Sequence, residues 1–358
     1  MTFGIAFERL TGFEQVMSLR IYGVVTTVQA PTECMVRLAK AWPGAKDSLL
    51  VAGDRKGPFT YPLEGARLLT IDDQNLLPYH LARILPEKHY ARKNLAYLIA
   101  MEEGAGLIYE TDDDNAPLPD WDIRRLRCAS HQWTHPGWVN VYRWFSDKLI
   151  WPRGLALDAI RNTDLSTVSM DVSFADCPVQ QGLANGSPDV DAIWRLVCDE
   201  TVCFEDAPSV RLSKGTWCPF NSQSTWWWPE AFPLMYLPSL VPFRMTDIWR
   251  SFVAQRCLWA MDRELVFHRA EVVQNRNPHT PFHDFVDEVN GYLRNPEIRT
   301  TLESLDLEAG ISAIGQNLHR CYESLVRIGV VPPGEMPLLE AWIKDCGEID
   351  ARTGSASN

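Results

Sequence analysis

The amino-acid sequence predicts an α/β protein, with a mainly parallel sheet in its first third and a helical, tryptophan-rich C-terminal elaboration. Three observations predict it. Short β-branched apolar runs alternate with helical periodicities as far as Pro117, the signature of repeated βαβ units. Gly, Pro or Asp punctuates the runs, as at Pro43-Gly44, Gly53-Asp54 and Gly104. Beyond Pro117 the apolar segments shorten and Trp, Pro and Cys become frequent, until helical periodicity returns near residue 245.

Taken in order, Ile21–Val28 is β-branched and apolar and reads as a buried strand. Pro31 opens a helix through about Lys40, stopped by Pro43-Gly44, since Pro suits a first helical turn and Gly a terminus. Ser48–Ala52 and Arg67–Ile71 are the second and third strands. Tyr90–Glu103 places Leu95, Leu98, Ile99 and Met101 at helical spacing and ends before Gly104. Gly106–Glu110 is the fourth strand, and three aspartates follow at its carboxyl end. In open α/β sheets ligands bind at that edge. Thr246–Met261, Phe282–Arg294 and Ile311–Ile328 read as helices, and the tail from 351 to 358 reads as disordered.

The chain has 358 residues and a formal net charge of −12. Such an acidic balance argues against a nucleic-acid partner, which favours a basic face. An acidic protein that binds a phosphate must neutralise it locally, with a metal or a few placed cations. Nine dispersed cysteines include no CxxC pair, so reduced, mostly buried thiols are expected rather than a zinc ribbon or a disulfide framework. No run of about twenty apolar residues occurs, so no membrane span is expected. Met1–Arg20 carries Glu8, Arg9 and Glu14 and lacks a signal-peptide core. The chain therefore reads as soluble and cytoplasmic. A Golgi-lumenal place is the alternative if an N-terminal anchor belongs to the protein.

The chemistry concentrates in Tyr109-Glu110-Thr111-Asp112-Asp113-Asp114-Asn115. Adjacent carboxylates repel, so they persist at a strand end only when solvated or bridged by a cation. Carboxylate oxygens suit hard ions such as Mg²⁺ or Mn²⁺, which take one or two protein ligands plus phosphate oxygens. Strand alternation points Asp112 and Asp114 the same way and turns Asp113 aside. An acidic surface turn is the bland reading. His89-Tyr90-Ala91-Arg92-Lys93-Asn94 opens the preceding helix, where free amides and the helix dipole favour phosphate and Arg92 can add a forked contact. Its alternative is a solvated basic turn paired with Glu102 and Glu103. Thr26 and Thr27 on the first strand, with Asp54 after the second, can hold a nucleobase and ribose, although strand-end Thr and Asp are also common caps.

At this point a resemblance becomes specific. The stretches 24–32, 51–56, 73–85, 90–100, 108–115, 151–154, 181–192, 219–221 and 244–256 resemble the STELLO family of glycosyltransferase-like proteins, with Tyr90–Asn94 and Glu110–Asn115 the most specific blocks. The resemblance implies a GT-A type, Rossmann-like nucleotide-binding core. In such a core DxD-like aspartates hold Mn²⁺ or Mg²⁺ on a sugar diphosphate, and Asp112 and Asp114 fall on those positions. Arg92, Lys93, Asn94, Asp113, Thr26, Thr27 and Asp54 are then the nucleotide-sugar-binding set. It implies a UDP-sugar donor, a carbohydrate acceptor and a role in polysaccharide biosynthesis. It also divides the chain into an N-terminal extension (1–19), the catalytic domain (20–275), a helical region (276–350) and the tail. The block from Gln181 to Ala192 also resembles the reversibly glycosylated polypeptides, which include UDP-arabinopyranose mutases. The arginine that family glycosylates does not fall at the offset of Arg153 here. A sugar mutase and a non-catalytic scaffold of a polysaccharide-synthesising complex are therefore the competing readings.

Transfer from a nucleotide sugar needs a base for the acceptor hydroxyl if the enzyme inverts. Asp191 is the preferred candidate, with Asp189 and Asp247 as alternatives. Trp226-Trp227-Trp228 reads as core, with a sugar-stacking platform as the sharper alternative. Of the histidines, His268, His279 and His283 stand where a late metal ligand would be sought, although a structural role suits each.

Overall fold

The computed structural model describes residues 19–161, 163–277 and 280–355. All but the last residue of the expected N-terminal extension lies outside the described residues, as do His279 and 356–358. The described residues form thirteen strands: β1 (Ile21–Thr26), β2 (Leu49–Ala52), β3 (Ala66–Leu69), β4 (Leu107–Thr111), β5 (Asn115–Pro117), β6 (Arg127–Trp133), β7 (Gly137–Trp138), β8 (Ser173–Asp176), β9 (Val179–Gly186), β10 (Val210–Leu212), β11 (Thr216–Trp217), β12 (Ser224–Trp227) and β13 (Leu265–Gln274). Their order in the main sheet is β3-β2-β1-β4-β12-β9-β13-β10-β6-β8, with β5 added on β13. Strands β3, β2, β1 and β4 are mutually parallel, so their carboxyl ends share one edge. Beyond β4 the sheet is mixed: β12 runs antiparallel to both β4 and β9, whereas β13 is parallel to β9.

The helices are α1 (Glu33–Ala41), α2 (Ile71–Asn75), α3 (Lys93–Glu102), α4 (Ala192–Val197), α5 (Thr246–Ala260), α6 (Pro281–Glu303), α7 (Ile314–Arg327) and α8 (Glu335–Ser355). Thr32 caps α1 by accepting from the Met35 amide, and Thr70 with Asp73 forms a capping box on α2. Residues Lys93–Met101 of α3 are all buried, because the sheet covers one side and α8 the other. A helix enclosed in this way belongs to the core rather than to the surface. Helix α8 continues through Ser355, so the part of the expected tail from 351 to 355 is helical.

The stretch after Pro117, expected to be irregular, supplies the second half of the sheet. Its short strands escape periodicity because several are buried on both faces. Trp226 and Trp227 sit in β12 with no exposure, and Trp228 is also buried, so none of the three is a sugar platform. Gly182 explains one glycine of the block at 181–192. A side chain there would lie 2.1 Å from a Glu271 carboxylate oxygen, which instead accepts from Ser224 Oγ and Trp226 Nε1 at 3.0 Å.

Glu110 on β4 is fully buried and gathers four elements. It accepts from Arg250 Nη1 of α5 at 2.8 Å on both oxygens, from Tyr97 Oη of α3 at 2.5 Å and from Trp227 Nε1 of β12 at 3.0 Å. Lys93 Nζ lies 3.8 Å away. Removing one member of a buried, hydrogen-bonded ion pair strands the other, at about 3–5 kcal/mol. Glu110→Ala is therefore expected to lower the unfolding free energy by roughly that amount in urea titrations, and a loss below about 1 kcal/mol would refute this placement.

Candidate active site

The carboxyl ends of β1, β2 and β4 open into a cleft of about 650 Å³. The rest of its lining includes the loop at 188–190, Arg195 of α4, Phe243, Arg244 and Asp247, and Gln274, Arg276 and Asn277 at the end of β13. Parallel strands put this mouth where a doubly wound sheet binds ligands.

Asp112, Asp113 and Asp114 all line the cleft. Strand β4 stops at Thr111 and the aspartates form a turn before β5, so the alternation expected of a continuing strand does not apply and Asp113 is not turned away. Asp112 accepts from Tyr90 Oη at 2.9 Å and Lys93 Nζ at 3.0 Å. Asp113 accepts from Thr27 Oγ1, from Gln29 Nε2 at 3.0 Å and from Asn277 Nδ2 at 3.3 Å. Asp114 accepts from Gln274 Nε2 at 3.0 Å and Asn115 Nδ2 at 3.1 Å. Three carboxylates thus share one ammonium, because the partners of Asp113 and Asp114 are neutral. Burial first, then Asp112 and Asp113, push the Asp114 carboxyl up to about 7. Burial also raises Asp112, with Lys93 opposing it.

The basic block before α3 does a different task from the one expected. Arg92 borders the cleft but is 1% exposed. Each of its three guanidinium nitrogens is committed, to Gln74 Oε1 at 2.8 Å, the Leu85 carbonyl at 3.1 Å and Asn75 Oδ1 at 3.1 Å. Gln74 in turn donates to the Gly53 and Leu69 carbonyls at 2.8 Å. Arg92 therefore braces the ends of β2 and β3 and is no phosphate fork. Lys93, fully buried, donates to the Thr111 carbonyl, Tyr90 Oη and Asp112. It holds the aspartate turn rather than a ligand. Asn94 is further from the expectation: its amide exchanges hydrogen bonds with the Leu237 backbone at 2.9 Å, away from the cleft. Thr26, Thr27 and Asp54 all line the cleft, although Thr27 spends its hydroxyl on Asp113.

The proposed bases separate in the same way. Asp191 is fully buried and caps α4, accepting from the Trp194 amide at 2.8 Å and from Trp151 Nε1 at 2.6 Å. Outside the cleft lining and with both oxygens bound, it is a structural residue, which corrects its assignment as base. Asp189 and Asp247 do line the cleft and face each other across Arg153. Arg153 bonds Asp189 through Nε and Nη2 at 2.8 Å, and Asp247 through Nη1 and Nη2 at 3.0 Å. Although burial acts the other way, Arg153 keeps the Asp247 carboxyl below its usual range. With every guanidinium nitrogen committed to a carboxylate, Arg153 has none left to carry a sugar. Gly154, at φ +89°, lets this loop touch α5, where a side chain would meet Ile248 at 2.3 Å.

His268 is buried between Ser209 Oγ and Gln180 Oε1, remote from the aspartates, and His283 begins α6 outside the cleft. Phe243 and Arg195 are among the cleft residues that the sequence does not single out. Phe243 is 50% exposed and stands edge-on to Tyr90 at 6.0 Å. Arg195 lines the wall beside Pro188. Neither carries a local signal, because a lone Phe and a lone helical Arg are common everywhere.

The fold and cleft define a class: an α/β protein whose Rossmann-like parallel half opens at its strand ends on a ligand-sized cleft floored by three aspartates. No family model matches the chain. It is 30% identical over 261 residues to the Arabidopsis thaliana protein named "Probable glycosyltransferase STELLO1", covering 66% of this chain and 33% of that one. It is likewise 30% identical over 260 residues to "Probable glycosyltransferase STELLO2" of the same plant, with the same coverage. That identity supports a STELLO-type glycosyltransferase-like family for the chain. The chain spans about a third of the length of these relatives. Among solved structures, a crystal structure of a mycobacterial protein aligns at a TM-score of 0.36 and 11% identity, over 88% of this chain and 76% of that one. A likeness that slight carries no argument.

If Asp191 is a cap, Asp191→Ala should cost about 0.5–2 kcal/mol of stability in denaturant titrations. Ligand binding in the cleft should persist, and its abolition in a folded variant would restore Asp191 to the site.

Proposed function

We propose that the chain is a metal-dependent glycosyltransferase that moves a sugar from a nucleotide-sugar donor, with UDP favoured, to a hydroxyl of a glycan or other acceptor. One observation carries the reading: Asp112, Asp113 and Asp114 meet in one cleft at the end of a buried parallel strand, with a single ammonium among them. Two uncompensated carboxylates in a half-enclosed cleft repel each other, and a divalent cation relieves that cost. The relatives named as probable glycosyltransferases agree with it.

Asp112 and Asp114 would hold Mn²⁺ or Mg²⁺, which when bound neutralises charge on the departing diphosphate. Tyr90 and Lys93 fix Asp112, and Gln274 fixes Asp114, so the acids are oriented before any ligand arrives. Asp113 ties the turn to β1 through Thr27 and Gln29. Thr26 and Asp54, on adjacent strand ends, offer polar groups for the nucleoside. On the wall around Arg153, Asp189 and Asp247 are the carboxylates within the cleft that can take an acceptor proton, and although burial opposes it, Arg153 keeps Asp247 below its usual range. Phe243, half exposed at that wall, offers an aromatic face to a sugar ring.

In calorimetric titrations UDP should bind wild type in Mn²⁺ and lose most of its affinity after chelation. Asp112→Asn and Asp114→Asn should each weaken metal-dependent UDP binding by at least about tenfold, or 1.4 kcal/mol. Wild-type affinity in Asp114→Asn would refute the metal assignment. Phe243→Ala is expected to raise the acceptor KM severalfold with donor binding unchanged, as followed by release of UDP. An unaltered acceptor KM would remove Phe243 from the acceptor site.

A further inference from the structure

Besides Arg92, four arginines line the cleft: Arg153, Arg195, Arg244 and Arg276. Three have carboxylate partners. Arg153 bridges Asp189 and Asp247. Arg244 pairs with Glu288 at 2.8 Å, and Arg276 with Asp284 at 2.6 Å. Arg195 differs. No carboxylate among the described residues lies within ion-pair distance of it, and its one hydrogen bond runs from Nη2 to the Pro188 carbonyl at 2.5 Å. It is 7% exposed, and its Nε–H is buried without an acceptor. A guanidinium with five donors in a fixed fork rarely leaves them idle in the interior, because an unmet buried donor costs about 1–3 kcal/mol.

We infer that Arg195, with Arg276 beside it, forms a second anion subsite in the cleft, which recognises a carboxylate or phosphate carried by the sugar or acceptor and is separate from the diphosphate site at the aspartates. The inference rests on reading the cleft as a sugar-transfer site. Three observations support it. The subsite lies in the cleft wall, so a bound substrate reaches it. The charged groups that act on Arg195 are Arg276, Asp189, Asp199 and Arg244, and the aspartate turn is not among them. Finally, burial and the neighbouring Arg276 bring the Arg195 guanidinium down to about 10. The protein thus bears a cost at Arg195 that an oxyanion would relieve through the forked geometry guanidinium offers carboxylates and phosphates. The chemistry selects a uronic acid or a phosphorylated sugar over a neutral hexose.

The test uses the full chain and inorganic phosphate as the probe, titrated calorimetrically in metal-free, low-salt buffer. Wild type should bind phosphate, Arg195→Gln should weaken it at least tenfold, and Arg195→Lys should recover part of the loss. If Arg195→Gln does not fold, as judged by its melting curve, Arg276→Gln provides the same comparison. Glucuronate and glucose 6-phosphate, set against neutral glucose, then separate carboxylate from phosphate as the source. Displacement of phosphate by either anionic sugar and not by glucose supports the subsite. Phosphate binding that is absent, or unaltered in the folded arginine variants, overturns it. So does loss of phosphate binding on saturation with UDP and Mn²⁺, which would assign the arginines to the diphosphate. Should phosphate binding depend on Arg195 while UDP fails to bind with metal, the glycosyltransferase reading falls and the anion subsite stands.

Discussion

The structure turns on a buried charge. Glu110, without exposure in the middle of the sheet, is held by Arg250 from α5, Tyr97 from α3 and Trp227 from β12, with Lys93 at its edge. A lone carboxylate in that position would be protonated or expelled, since burial penalises charge by several kcal/mol. Its partners therefore have to arrive together, and their arrival sets the order of layers: α3 against β4, β12 beside it, and α5 over both. Two residues on, just past the end of β4, the aspartates begin, so the network that secures the strand also positions the cleft floor.

Lys93 connects the two. It touches Glu110 on the core side and donates to Asp112 on the cleft side. The interior is thus balanced by Arg250 and Lys93 together, while the aspartate turn keeps an excess of negative charge. Elsewhere the cleft lining is rich in arginine. Arg153 is clamped by Asp189 and Asp247, and Arg195 stands without a carboxylate partner among the described residues. A cleft lined by both an aspartate turn and arginines suits a ligand that brings both a cation and an anion.

Much of the parallel half was legible in the sequence. β1, β2, β3, α1 and α3 lie within a few residues of their expected limits, because βαβ units write a local pattern: apolar runs, capping residues and stop signals. The mixed half was not legible, since β9, β12 and β13 derive their stability from neighbours distant in sequence and mix polar with apolar residues without regular alternation. The site divides similarly. Asp112 and Asp114 stood out because three adjacent carboxylates need a reason. Arg92, Lys93 and Asn94 looked alike as a basic helix start, yet tertiary contacts sent all three side chains to structural duties. Asp191 was misread because an N-cap and a catalytic acid have the same local appearance after a turn.

What the sequence determined by itself was the parallel α/β beginning and the acidic turn at the end of the fourth strand. Those depend on local periodicity and spacing. Only the tertiary structure decided which polar side chains face the cleft. That choice depends on the partners packing brings within hydrogen-bond distance. Arg92 met Gln74, Asn75 and the Leu85 carbonyl and became a brace. Arg195 met one carbonyl and kept its charge for the cleft.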